Sequence, residues 1–223
     1  MRFRTSFAPC RCVRNASSVE LALALQPLED RHGSVARLEL LARPQGITPE
    51  ALVGLAPLEV VEAQLAFLSI TAITDVLLNV EPAMLNSVPE SQLTSLLAPV
   101  ADSVALEVTE RGELSSSAIS VLSVFHEAGG EVWLDDFGTG DSTWEQRSAL
   151  VRRGLVSGVK LPIGHDVAVA RELFGEDTLV VQEGVEKEWQ KLQAFKTGAD
   201  LVQGWLVGRP VLHEHRMRVR LPL

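Results

Sequence analysis

One recurrence restricts the fold of this chain more than any other feature. Short apolar runs, β-branched or Leu-rich, end abruptly in a polar residue and give way to longer amphipathic stretches. The runs are LALALQ (21–26), VARLELL (35–41), VLLN (76–79), VALE (104–107), VWLDD (132–136), GVK (158–160), LVVQE (179–183) and LVQG (201–204). Runs of this length that lack alternation read as strands covered on both faces, as in a parallel sheet. Helical patterns fill the gaps at 50–68, 83–98, 115–128, 143–153, 165–174 and 186–197. In 115–130, Ser residues offer an N-cap, Ile119, Leu122 and Phe125 fall at helical spacing, and Gly129-Gly130 ends the pattern.

Eight strands with intervening helices in 223 residues predict a (β/α)8, TIM-like barrel at the short end of that fold's range. A doubly wound open sheet is the alternative. The polar residues that end the strands favour the barrel. Asn79, Glu107, Asp135, Lys160, Glu183 and Gln203 each stand at or beside the C-terminal end of a different run. A barrel gathers those ends at one mouth, whereas an open sheet spreads them along an edge. No linker divides the chain, so 19–223 is expected to be one domain. Residues 1–18, with Arg2, Arg4, Arg11 and Arg14 but no acid, are expected to be an irregular segment. They carry the charge bias of a targeting peptide without its apolar core.

Composition narrows the function. No apolar run approaches the roughly 18 residues of a membrane span. Asp and Glu number 29 against 20 Lys and Arg, a formal balance of −9, which argues against a protein that grips polymeric nucleic acid. An anionic substrate then needs help from cations. Cys10 and Cys12 are poorly spaced for a disulfide, and no further thiol completes a zinc site, so free thiols in a reducing cytoplasm are expected.

A single acid after a strand is more often a helix cap or turn former than a ligand. Glu39, Glu107, Asp135, Asp136 and Glu183 in one cavity, beside the amide oxygen of Asn79, resist that explanation, because crowded carboxylates cannot all stay ionised unaided. Hard divalent cations remove the conflict, and an all-oxygen ligand set suits Mg²⁺ or Mn²⁺. Adjacent Asp135 and Asp136 allow one carboxylate to bridge two ions, the arrangement used for in-line attack on phosphate esters. Lys160 either orients the attacking water or pairs with a neighbouring carboxylate. Asp-Phe-Gly at 136–138 also occurs in protein kinases, but the chain lacks their His-Arg-Asp and Gly-rich motifs. Gly138 and Gly140 instead make a mobile loop beside the proposed ions.

In this order the residues resemble the EAL-domain family, phosphodiesterases that hydrolyse the second messenger cyclic di-GMP to linear pGpG. Gln26-Pro27 is similar to the family's Gln-Pro-Ile/Val strand, and Glu39-Leu40-Leu41-Ala42-Arg43 to its signature Glu-Ala-Leu-Leu-Arg. Asn79-Val80-Glu81-Pro82 stands where Asn-x-Ser-Pro is usual, and Leu106-Glu107-Val108-Thr109-Glu110 resembles Leu-Glu-hydrophobic-Thr-Glu. Leu134 to Gly140, Val159-Lys160, Glu183-Gly184-Val185-Glu186 and Gln203-Gly204-Trp205 complete the series.

The resemblance implies a modified barrel with one antiparallel strand. It implies two metals held by Glu39, Asn79, Glu107, Asp135, Asp136 and Glu183, with Glu183, Lys160 and Glu39 in catalysis. Gln26, Arg43, Asp136 and Gln203 would contact the dinucleotide. Glu110 would steady the 137–143 loop, and Glu186, Gly138 and Gly140 would support the site. The chain departs from the pattern where Asp141 replaces a Tyr and Pro162 an Asp, and the stretches Arg43 to Asn79 and Lys160 to Glu183 are short. These departures keep a second reading open, a non-catalytic cyclic di-GMP receptor or protein-binding module. A homodimer is likewise left open.

Overall fold

A computed structural model describes residues 18–139 and 144–221. Nine strands form one sheet in the order β2-β3-β4-β5-β6-β7-β8-β1-β9, and pairing of β2 with β1 closes the first eight into a barrel. The strands are β1 (Ser18–Asp30), β2 (Val35–Pro44), β3 (Val76–Val80), β4 (Val104–Val108), β5 (Glu131–Leu134), β6 (Val156–Pro162), β7 (Leu179–Glu183), β8 (Leu201–Gln203) and β9 (Val211–Arg220). β2 to β8 run parallel, while β1 is antiparallel to β2, β8 and β9. The barrel with one reversed strand is therefore present. β1 opens at Ser18, one residue inside the segment expected to be irregular, and 1–17 lie outside the described residues.

The helices are α1 (Pro49–Leu55), α2 (Pro57–Thr71), α3 (Pro82–Ser87), α4 (Glu90–Leu97), α5 (Ser116–Glu127), α6 (Trp144–Arg152), α7 (Val167–Phe174) and α8 (Glu188–Lys196). Two helices expected to be continuous are broken. Pro57 separates α1 from α2, which bend by 113°, and Pro89 separates α3 from α4. Each proline lacks the N–H a continuing helix needs, and each disfavours helical geometry in the residue before it. α5 follows expectation, with the Ser115 hydroxyl accepting from the Ala118 N–H at 3.1 Å. Among the described residues no single helix is long and apolar enough to cross a membrane.

β9 was not expected. Its sequence, VLHEHRMRVR, is dense in charge, but Met217 and Val219 alternate with Arg216, Arg218 and Arg220 and pack into the main core. Period-two alternation marks a half-buried strand, and here charge obscured it.

The barrel interior is stacked in layers. Leu28, Leu77, Ala105, Trp133, Val181 and Leu201 form an apolar floor. Gly158 completes it by having no side chain: a Cβ there would lie 2.3 Å from Trp133 Cδ2. Below, Arg37 stacks 5.3 Å over the Trp133 ring and pairs with Glu131 at 2.7 Å, while Trp133 Nε1 donates to the other Glu131 oxygen at 2.9 Å. Because side chains two residues apart on a strand share a face, the floor positions determine the layer above them. Two residues beyond Leu77, Ala105, Trp133, Gly158, Val181 and Leu201 stand Asn79, Glu107, Asp135, Lys160, Glu183 and Gln203.

Candidate active site

Each strand thus delivers one polar side chain to the mouth, and β1 and β2 add Gln26 and Glu39, which are paired in register. Lys160 lies at the centre and is buried. Its Nζ is 2.6 Å from Glu107 Oε1, 3.1 Å from Glu39 Oε2, 3.1 Å from Glu183 Oε1 and 3.8 Å from Asp135 Oδ1. Glu39 is fully engaged: Asn79 Nδ2 donates to one oxygen at 2.8 Å, and Gln203 Nε2 to the other at 2.6 Å. Glu107 is fully buried, and its Oε2 has no hydrogen-bond partner among the described residues.

One ammonium faces four carboxylates, and their protonation reflects that imbalance. Burial raises Glu107 well above the ordinary carboxylate range, with Lys160 opposing. Burial also raises Asp135 to about 6 and Glu183 to about 8. At Glu39 burial acts the same way, but the Lys160 charge and the bonds from Asn79 and Gln203 outweigh it, and the group ends lower than usual. Burial works against the Lys160 charge, yet Glu107, Glu183 and Glu39 hold its ammonium form well above the ordinary range. The residues fit divalent cations: the donors are all oxygen, negative charge exceeds positive, and a buried carboxylate oxygen lacks a partner.

A second acidic group adjoins the first. Glu110, Asp135 and Asp136 each bring one carboxylate oxygen within 4.8 Å of the other two, so Asp135 belongs to both groups. The backbone after β5 arranges this. Asp135 N–H still bonds to Val108 O at 3.0 Å, then Asp136 adopts φ 42°, and Phe137 N–H returns to Lys160 O at 2.9 Å. This left-handed residue, which Asp tolerates better than most, leaves Asp136 at the mouth while Phe137 packs edge-on against Phe174 at 4.8 Å.

Several supporting residues were not anticipated. Arg111 contacts Glu110 (3.1 Å), Glu50 (2.8 Å) and Glu81 (3.5 Å), and the Thr109 hydroxyl donates to Glu81 at 2.9 Å. Glu81 stands where the resemblance expects Ser, so the nearby arginine was the available signal. Arg147 of α6 is buried and donates to Thr109 O at 2.9 Å and Gly112 O at 3.2 Å, fixing the loop that carries Glu110.

Beside the carboxylates a cavity of about 210 Å³ is lined by Gln26, Glu39, Glu183, Glu186, Gln203 and Trp205, together with two glycines. Gln26 and Gln203 thus line the cavity, and Glu186 reaches its rim while remaining exposed. Arg43 does not line the cavity: it is exposed, and its guanidinium donates to Ala42 O at 3.0 Å. Gly138 faces the His165 ring, and Gly140 lies outside the described residues.

Known proteins share this architecture. BlrP1 of Klebsiella pneumoniae, in a manganese and cyclic di-GMP complex, is 25% identical, with a TM-score of 0.64 over 97% of this chain and 61% of that one. An EAL-domain protein of Listeria monocytogenes, 22% identical, gives 0.64 over 86% and 88% of the two chains. A curated relative, "Probable cyclic di-GMP phosphodiesterase PdeB" of Escherichia coli, is 31% identical over 125 residues, 52% of this chain. The chain has the fold of EAL domains. The stretch matched in the Escherichia coli relative is only 23% of that protein's length. No family model matches the chain. On that fold this chain carries an acid, an amide or, at Lys160, an ammonium at the strand ends that face the mouth, with Glu81 and Arg111 close to Asn79.

Proposed function

We propose that the protein is a metal-dependent phosphodiesterase that hydrolyses cyclic di-GMP to linear pGpG. The observation that carries this reading is the excess of carboxylate around Lys160, with Glu107 Oε2 unpartnered and a second acidic group sharing Asp135. Glu39, Asn79, Glu107, Asp135, Asp136 and Glu183 would hold two divalent cations, Mg²⁺ or Mn²⁺. When bound, these supply Lewis-acid activation of water and charge neutralisation at the scissile phosphate. Glu39, held from three sides, sets the geometry. Lys160 orients the attacking water and offsets charge. Glu183, ionised once a cation is bound, would take the proton of the attacking water. Gln26, Arg43, Asp136 and Gln203 position the dinucleotide, Glu110 and Gly138 shape the loop, and Glu186 supports the rim. A cytoplasmic place of action belongs to the same proposal.

The test is product analysis. Protein supplied with Mn²⁺ or Mg²⁺ is expected to convert cyclic di-GMP to pGpG, and Glu183→Gln to stop turnover. Absence of pGpG overturns the reading. The shortened β6 to β7 connection, which contains only the eight-residue α7 as a helix, favours a receptor as the second reading. Calorimetry then shows binding without turnover.

A further inference from the structure

Above the mouth the barrel wall continues as a three-stranded flap. β3 pairs with β2 only from Leu38 to Leu40, and β8 with β1 only from Leu28 to Asp30. Beyond those points β1 keeps β2 on one side and takes β9 on the other. The pleat determines which residues share a face. On β1, Leu28 lies in the floor and Gln26 lines the cavity, so Ala24 and Ala22 continue on the mouth side, while Leu21 and Leu23 belong to the main core. Register then sets Arg43 of β2, Ala22 of β1 and Arg216 of β9 in one row on the mouth-facing side. Arg218 lies opposite Glu20 in the next row. The opposite face of β9 supplies Met217 and Val219 to the core, as this parity requires.

The row stands four residues past Glu39, about 13 Å along β2, and its two arginines are about 10 Å apart across the small Ala22. Arg43, Arg216 and Arg218 are exposed, and none lies within ion-pair distance of a carboxylate among the described residues. Arg43 and Arg216 turn onto backbone carbonyls, those of Ala42 and His213. Glu20, the nearest acid in register, is bonded instead by Gln45 at 2.9 Å. In a chain of net charge −9, free guanidinium groups are thus grouped on the face that rises from a carboxylate-rich mouth. That polarity suits a ligand with two phosphates, one held at the carboxylates through cations and one by guanidinium forks.

We propose that Arg216 and Arg218 of β9 extend Arg43 into a wall that binds the second phosphate of the cyclic dinucleotide, the one that is not cleaved. This rests on the phosphodiesterase reading and adds a strand to the site. Arg216→Gln with Arg218→Gln is expected to weaken cyclic di-GMP binding at least about tenfold. The measurement is calorimetry with Ca²⁺ in place of Mn²⁺ to slow turnover. Hydrolysis of bis(p-nitrophenyl) phosphate, which has a single phosphate, is expected to stay unchanged. Arg31→Gln removes the same charge from the β1–β2 turn at the opposite end and is expected to have no effect. Unchanged affinity in the double variant, or an equal loss in Arg31→Gln, overturns the wall. A wild-type protein that binds cyclic di-GMP but turns over neither diester refutes the phosphodiesterase reading and leaves the wall to the binding comparison. One that does not bind it refutes the wall.

Discussion

Lys160 Nζ lies 2.6 Å from Glu107 Oε1, and neither side chain reaches solvent. The pair is one spoke of a wheel whose hub is a single ammonium. Removing the hub strands buried carboxylates without a counter-charge, a loss of about 3–5 kcal/mol for a broken buried pair. Lys160→Met is therefore expected to lower urea stability by that amount without added metal. The loss should be greater at pH 8 than at pH 5, where protonation neutralises part of the cluster. Added Mn²⁺ should restore part of it. Equal stability of variant and wild type would contradict the assignment of Lys160 as counter-ion.

Cation uptake should expel protons. Glu183 is raised to about 8, so it holds a proton at pH 7 when no cation competes, and burial pushes Glu107 in the same direction. A bound cation favours the ionised carboxylates, so apparent Mn²⁺ affinity is expected to rise from pH 6 to pH 8.5. At pH 7 the calorimetric enthalpy should depend on the ionisation enthalpy of the buffer, reporting release of about one proton or more. Identical enthalpies in PIPES and Tris would refute this.

The floor of the barrel should tolerate no added atom at Gly158. A Cβ would meet the Trp133 ring at 2.3 Å, and Trp133 is held from below by Glu131 and Arg37. Gly158→Ala is expected to cost about 2–3 kcal/mol, or a fall in Tm of roughly 4–12 °C for a domain of this size. A thermal melt within 1 °C of wild type, on the order of the error of such a melt, would mean the ring moves freely.

Arg147 should matter more than its distance from the carboxylates suggests. It donates to Thr109 O and Gly112 O on either side of Glu110. Arg147→Met leaves both carbonyls without these donors, at an expected cost of about 2–3 kcal/mol. Amide exchange at 109–112 should quicken selectively. Uniform acceleration across the barrel would show a global effect instead.

Much of the site was legible because of a parity rule. A polar residue two positions past a buried one, repeated from Leu77 and Asn79 to Leu201 and Gln203, can be read in a linear sequence once strands are recognised. Helix breaks at Pro57 and Pro89 were equally open to inspection, but the apolar pattern ran through both prolines and was followed instead. β9 was missed for the opposite reason: Arg216, Arg218 and Arg220 made a half-buried strand look like a charged tail. The ties from Arg111 to Glu50 and Glu81 depend on which loops meet, and no local pattern carries that information. Arg43 marks the boundary of motif reasoning, since its signature position was plain while its place on a flap beyond the cavity required register.

The reversal of β1 has a consequence for whatever is joined to this domain. In an all-parallel barrel the chain enters at the end remote from catalysis. Here Ser18 pairs with Arg220, so the outer ends of β1 and β9 lie side by side on the mouth side of the barrel. Anything held against the Ser18–Arg220 edge therefore lies on the doorstep of the carboxylate cluster, where modest movement is enough to obstruct or admit a ligand.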